Sequence, residues 1–133
     1  MAAGAATTKG KGVVLAVDDS PDILALVNKI LSQWFEVRTA GDGPTALRMV
    51  QEAQQPDLIL LDVMMPDLNG FQFLSIYRKD EENAQTPVVI LSSLSEEADV
   101  LKGLEIGAAD YLTKPFSPQV LIAKIKKNIS SRP

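Results

Sequence analysis

The chain has 133 residues, long enough for one domain with a real core and too short for two ordinary domains. Hydrophobic residues make up 46% and charged residues 23%, a globular balance, and the net charge of −4 argues against a nucleic-acid partner because phosphate neutralisation needs a basic face. The absence of cysteine and histidine excludes disulfides, thiolate and imidazole metal sites, a thiol nucleophile and a Ser-His-Asp triad.

Residues 1–11 are Ala, Gly, Thr and Lys after the initial Met, without the apolar core of a signal peptide, and read as a flexible tail or linker. Residues 12–129 read as the domain and 130–133 as its C-terminal end. No apolar run approaches the ~18 residues of a membrane span, so a cytoplasmic soluble domain without membrane contact is expected.

Val13 to Val17 form a short apolar run and predict a buried strand, followed at once by Asp18-Asp19. Ser20 and Pro21 suit the N-cap and first position of a helix. Ile23, Leu24, Leu26, Val27, Ile30, Leu31 and Trp34 then keep helical spacing, which predicts one face packed on a sheet. Phe35 to Thr39 alternates as an edge strand does. Gly41-Asp42-Gly43-Pro44 breaks the chain before a second helix with Ala46, Leu47, Met49, Val50 and Ala53 inward.

Leu58 to Leu61 have no polar break and predict a central strand buried on both faces, with Asp62 where it leaves the sheet. A turn-rich loop from Met65 to Gly70 precedes a third helix marked by Phe71, Phe73, Leu74, Ile76 and Tyr77. Residues 80–86 are polar and read as a surface loop. Val88 to Leu91 form a fourth strand, ending in Ser92-Ser93. Ser95 is a candidate cap for a helix that carries Glu96 and Glu97 in its first turn and stops at Gly107. Asp110 to Thr113 form a short last strand, followed by Lys114-Pro115-Phe116. Ser117-Pro118 starts a final helix with Val120, Leu121, Ile122, Ile125 and Ile129 inward.

Five strands alternating with five helices imply an α/β domain, a doubly wound parallel sheet with helices on both faces. In such a sheet every strand ends on the same edge, where ligands bind. That edge would gather Asp18, Asp19, Asp62, Ser92 and Lys114. Like charges at ~4 Å repel by about 4 kcal/mol at an effective dielectric near 20. Lys114 offsets one carboxylate, and an oxygen-only donor set without His or Cys points to Mg²⁺ or a similar hard ion for the rest. Each residue alone has a bland reading as a cap, a turn hydroxyl or a solvated charge; their joint placement at strand ends makes that reading poor. Asp22, Asp57 and Asp67 are left as turn or helix-start acids. Gly41-Asp42-Gly43 is no phosphate loop, since no Gly-Lys-Ser/Thr follows.

Val-Asp-Asp after the first strand, Leu-Leu-Asp-Val-Met-Met-Pro-Asp-Leu-Asn-Gly in the middle, Leu-Ser-Ser after the fourth strand and Asp-Tyr-Leu-Thr-Lys-Pro-Phe near the end together resemble a response regulator receiver domain. The resemblance spans residues 12 to 129. It implies a flavodoxin-like five-stranded sheet of order 2-1-3-4-5 and a phosphorylation-controlled switch of a two-component phosphorelay rather than an enzyme in its own right. By that resemblance Asp62 is the phosphoacceptor, and Asp18 and Asp19 hold Mg²⁺, with Asp19 favoured as the direct ligand. Asp62 and the Met64 backbone carbonyl complete the metal site. Ser92 is the switch hydroxyl, Lys114 contacts the phosphoryl oxygens, Tyr111 is the aromatic switch residue and Pro115 follows a cis peptide.

The implied partners are a sensor histidine kinase or phosphotransfer protein, and a downstream protein or fused output domain, with no nucleic acid bound by this domain. On phosphorylation Ser92 is expected to move inward and Tyr111 to turn into the space vacated, altering the surface of the fourth helix, fifth strand and fifth helix. Met64 and Leu94 flank the path of the hydrolytic water in receivers. Both are apolar here, so slow loss of the phosphoryl group is expected. Two competing functions differ in class. A Mg²⁺-dependent phosphohydrolase of the haloacid dehalogenase kind would need Asp-x-Asp after the first strand and a cap domain. A degenerate receiver scaffold would not keep the full set of acids, hydroxyl and lysine.

Overall fold

The computed structural model describes residues 12–52, 55–80, 83 and 85–130. The expected tail at 1–11, the end at 131–133 and the inward position of Ala53 lie outside the described residues. In chain order the elements are β1 (Gly12–Val17), α1 (Pro21–Leu31), β2 (Phe35–Ala40), α2 (Gly43–Glu52), β3 (Leu58–Leu61), α3 (Gly70–Arg78), β4 (Val88–Ser92), α4 (Glu97–Glu105), β5 (Asp110–Thr113) and α5 (Pro118–Ser130). The five strands form one parallel sheet in the order β2-β1-β3-β4-β5. None of the described helices is long and apolar enough to cross a membrane.

The core follows from strand alternation. Successive side chains point to opposite faces, so a strand buried on both sides must be apolar throughout. Leu58 and Leu60 of β3 pack with Val27, Leu31, Leu121 and Ile125 of α1 and α5. Ile59 and Leu61 pack on the other face with Ala46, Val50, Phe73 and Leu74 of α2 and α3. Two apolar layers thus clamp the sheet, and its winding reverses at β1, which lies between β2 and β3. Val17 pairs with Leu61, so the residues just beyond them, Asp18 and Asp62, emerge side by side.

Several helix boundaries and faces differ from the reading of the sequence. Gly43 and Pro44 belong to the first turn of α2 rather than to a break before it. Asp42 caps that turn by accepting the Thr45 N–H (2.7 Å), and proline is tolerated in a first turn because its missing N–H would have no partner there. Ser95 does not cap α4; the N-cap is Glu96, which makes no side-chain cap bond. Gly107 does end α4, with a positive φ of 111° that favours glycine. Ser20 caps α1 through the Ile23 N–H (3.3 Å).

Leu26, Trp34, Ile76 and Val120, expected inward or as helix markers, are exposed, as are Leu101 and Leu104 of α4. A helix on a sheet buries only a stripe, so apolar residues at its margin stay outside. Trp34 lies beyond the end of α1 and stacks instead under the Lys126 ammonium of α5 (4.8 Å to the ring centre). Two glycines set close approaches. A Cβ on Gly103 would come within 2.7 Å of the Ile90 side chain and 3.3 Å of the Tyr111 ring, so α4 lies against β5 only because that position is bare. A Cβ on Gly70 would collide with the Asp62 carbonyl oxygen, so the start of α3 rests directly on the loop that leaves β3.

Candidate functional site

Asp18, Asp19 and Asp62 meet at the carboxyl edge of the sheet. One carboxylate oxygen from each lies within 4.8 Å of the other two. The backbone fixes this. The Asp62 N–H donates to the Val17 carbonyl (2.9 Å) and the Asp18 N–H to the Ala40 carbonyl (3.1 Å), which carries the sheet ladder one residue past β1 and β3. Asp18 and Asp62 are buried, with 4% of each residue exposed, while Asp19 is open to solvent.

Lys114 enters from the end of β5. Its backbone N–H donates to the Ser92 carbonyl (2.8 Å), which sets the last turn of β5 beside β4. Its Nζ donates to Asp18 Oδ2 (2.8 Å) and lies 3.6 Å from Asp62 Oδ2. The Lys114–Pro115 peptide is cis. The remaining oxygens find backbone donors: Asp18 Oδ1 accepts the Ser20 N–H (2.9 Å) and Asp62 Oδ1 the Met64 N–H (3.0 Å). The cleft therefore holds three carboxylates against one ammonium.

Burial holds the Asp62 carboxyl above the usual carboxylate range. The Asp18 and Asp19 charges push the same way, while the Met64 N–H and the Lys114 ammonium oppose them. A charge excess of this kind fits a hard divalent cation, which prefers oxygen donors and suppresses carboxylate repulsion. The donor set passes that test: all three side chains are oxygen ligands at mutual distances one ion can span.

Ser92 is fully buried at the end of β4, and its Oγ accepts the Leu94 N–H (3.2 Å). Tyr111 is already buried before any phosphoryl group is present, more so than a half-buried edge aromatic. Its hydroxyl donates to the Leu94 carbonyl (2.7 Å). The bare face of Gly103 leaves room for the ring, and the Leu94 carbonyl accepts from the phenol, with the Ser92 side chain as a second polar neighbour. One residue thus joins the two, with the Leu94 N–H on Ser92 and the Leu94 carbonyl, in the next peptide group, on Tyr111. Burial raises the Tyr111 phenol above its ordinary range.

The acids set aside in the sequence stay outside the cluster. Asp22 lies in the first turn of α1, Asp57 accepts the Val13 N–H (2.7 Å), and Asp67 occupies a left-handed turn position at φ 66°. Three contacts escaped the sequence. The Asn69–Gln72 capping box starts α3, with both reciprocal bonds formed (2.9 and 3.0 Å). The Asn-Gly-x-Gln spacing was its available signal. The close seat of Gly70 on the Asp62 carbonyl and the Ser93 hydroxyl on the Met64 sulfur (3.3 Å) have no local signal.

A family model described as the response regulator receiver domain matches residues 14–126. Response regulator PleD of Caulobacter vibrioides is 41% identical over 114 residues, covering 85% of this chain and 25% of the relative. The phosphate regulon transcriptional regulatory protein PhoB of Klebsiella pneumoniae is 42% identical over 114 residues, 85% of this chain and 49% of the relative. The chain thus spans a quarter to a half of the length of these curated relatives. Among solved structures, chemotaxis response regulator CheY4 of Vibrio cholerae aligns with a TM-score of 0.83 at 35% identity, covering 89% of this chain and 98% of that one. The BeF3-activated DrrB receiver domain aligns at 0.81 and 35%, covering 90% and 98%.

The raised Asp62 carboxyl has a sign that can be measured. A group with a raised folded-state pKa favours folding when protonated and opposes it once pH rises through that value. Asp62→Asn is therefore expected to melt higher than the parent at pH 7, at roughly 4 °C per kcal/mol relieved in a domain of this size. The gain should shrink as pH falls through the Asp62 range and vanish below the ordinary carboxylate value. Melting curves from pH 3 to 8 without divalent ions give the comparison.

Proposed function

The chain belongs to the response regulator receiver family, and on that premise we propose that Asp62 accepts a phosphoryl group from the phosphohistidine of a sensor kinase or phosphotransfer protein. The supporting observation is the convergence of Asp18, Asp19 and Asp62 on one rim with Lys114 bridging two of them. Asp18 and Asp19, Asp62 and the Met64 carbonyl would hold Mg²⁺, with Asp19 the direct ligand of the acidic pair. When bound, the ion would mask charge on the carboxylate and on the phosphoryl oxygens.

In this reading an Asp62 carboxylate oxygen attacks phosphorus, a P–O bond forms and the P–N bond to the donor imidazole breaks. Lys114 leaves part of its contact with Asp18 and donates to a phosphoryl oxygen, compensating charge as it builds. Ser92 accepts the Leu94 N–H and has its own proton to give to the same group. The product adds about −1.5 to −2 charge at the sheet edge, by analogy with other phosphorylated side chains.

The switch follows from what Ser92 holds. Drawing its hydroxyl toward phosphate loosens the Leu94 N–H bond, and the Leu94 carbonyl carries the change to the Tyr111 hydroxyl. Tyr111 lies under α4 at Gly103, so the affected surface is α4, β5 and α5. Full conversion from 1:99 to 99:1 needs ~5.5 kcal/mol of differential interaction. A few charge-assisted bonds approach that figure, so a partial shift is the expectation. The output is an interaction with a downstream protein or a linked output domain, in a cytoplasmic setting.

Incubation with Mg²⁺ and acetyl phosphate should give a single phosphoryl adduct by intact mass. The adduct should be absent in Asp62→Asn and formed at least ten times more slowly in Lys114→Ala. An adduct that persists in Asp62→Asn would refute the assignment. The apolar pair Met64 and Leu94 offers nothing to orient a hydrolytic water, so Met64→Asn/Leu94→Glu should lose the phosphoryl group faster. Unchanged or slower decay in that double variant would count against this role for the rim.

A further inference from the structure

We propose that Met64 is an oxidation site, through which a peroxide shortens the life of the phosphoryl group on Asp62. The inference rests on the phosphoacceptor reading above and adds a chemical input to it.

The chain has no cysteine, so its four methionine thioethers are its only sulfur. They differ in access. Met65 is buried at 6% exposure and Met49 packs half-buried against the core below α2, whereas Met64 is 52% exposed. The Met64 side chain is also held in place. Its sulfur accepts the Ser93 hydroxyl (3.3 Å), while its N–H donates to Asp62 Oδ1 (3.0 Å). It therefore spans the rim between the loop after β3 and the loop after β4, and those loops begin at Asp62 and Ser92. Met64 is thus the most exposed methionine among the described residues, and its backbone N–H is bonded to the carboxylate of Asp62.

The step is a two-electron oxygen transfer. A sulfur lone pair attacks one peroxide oxygen, the O–O bond breaks and an S–O bond forms. The second oxygen takes up a proton and leaves as water. Sulfur is oxidised and the peroxide reduced, with no other reactant. Because Met64 is at the surface, the product does not disrupt the core, as a sulfoxide at Met65 would.

What changes is the polarity of the rim. A thioether is a weak hydrogen-bond acceptor, and Leu94 on the facing loop is apolar. The sulfoxide oxygen is a strong acceptor, able to take the Ser93 hydroxyl and a solvent water together. A water held there is oriented beside the phosphoryl group on Asp62, and its attack on phosphorus returns the carboxylate. Oxidation thus does reversibly what Met64→Asn would do permanently.

The test uses the full chain treated with hydrogen peroxide, mapped by peptide mass spectrometry, then loaded with acetyl phosphate and Mg²⁺. The expected result is sulfoxide at Met64 ahead of Met49 and Met65, with phosphoryl decay several-fold faster than in untreated protein. Methionine sulfoxide reductase should restore the slow decay. In Met64→Leu, peroxide should leave the decay rate unchanged, whatever that variant's own basal rate. Sulfoxide appearing first at Met49 or Met65, or a Met64-oxidised chain decaying at the untreated rate, would overturn the proposal. Absence of an adduct in both treated and untreated protein would instead overturn the phosphoacceptor reading and the decay effect with it. The peptide map would still report which sulfur reacts.

Discussion

Three carboxylates share one rim of the sheet with a single ammonium, and the backbone holds them there against their mutual repulsion. Asp62 cannot retreat, because its N–H continues the ladder onto Val17 and Gly70 packs beneath its carbonyl. Asp18 is fixed by Ala40 and by the turn through Ser20. The buried carboxylates of Asp18 and Asp62 are thus held side by side, with exposed Asp19 beside them. Lys114 offsets part of this charge, and in the proposed function a hard cation would offset the rest. Burial first, and the Asp18 and Asp19 charges after it, push the Asp62 carboxyl up.

In the proposed switch, the same edge would couple chemistry to surface through very few contacts. Ser92 and Tyr111 are joined through the Leu94 backbone, which bonds to both, and the Ser92 side chain also acts directly on the Tyr111 phenol. α4 closes over Tyr111 only because position 103 has no side chain. On that proposal an effect at Asp62 would reach α4 and β5 by way of Ser92, Leu94 and Tyr111. Exposed Leu101, Leu104 and Val120 lie on the helices that flank this path.

Much of this was legible in the residues. Apolar runs of four or five, each ending in a polar residue, gave strands whose ends must share an edge, and the motif resemblance supplied the strand order. Asp18, Asp19, Asp62, Ser92 and Lys114 could be named on those grounds because strand-end position is a one-dimensional property. What could not be read depends on distance in three dimensions. Gly70 looks like any turn glycine until α3 is seen resting on Asp62. Ser95 has cap chemistry, but the chain turns one residue later. For Tyr111, nothing in the sequence reveals that Gly103 opens a place for its ring or that the Leu94 carbonyl accepts from its hydroxyl. Val120 and Leu26 fit the helical spacing and still fall outside the buried stripe, whose width is set by the neighbouring helix.

The most direct measurement is calorimetric titration with Mg²⁺ of the parent chain, Asp19→Asn and Lys114→Gln. If the rim is one charge-coupled unit, the parent binds a single ion, Asp19→Asn binds it at least about tenfold more weakly, and Lys114→Gln binds it more tightly because the ammonium no longer competes for Asp18. Equal affinities in all three, or weaker binding in Lys114→Gln, would contradict the account.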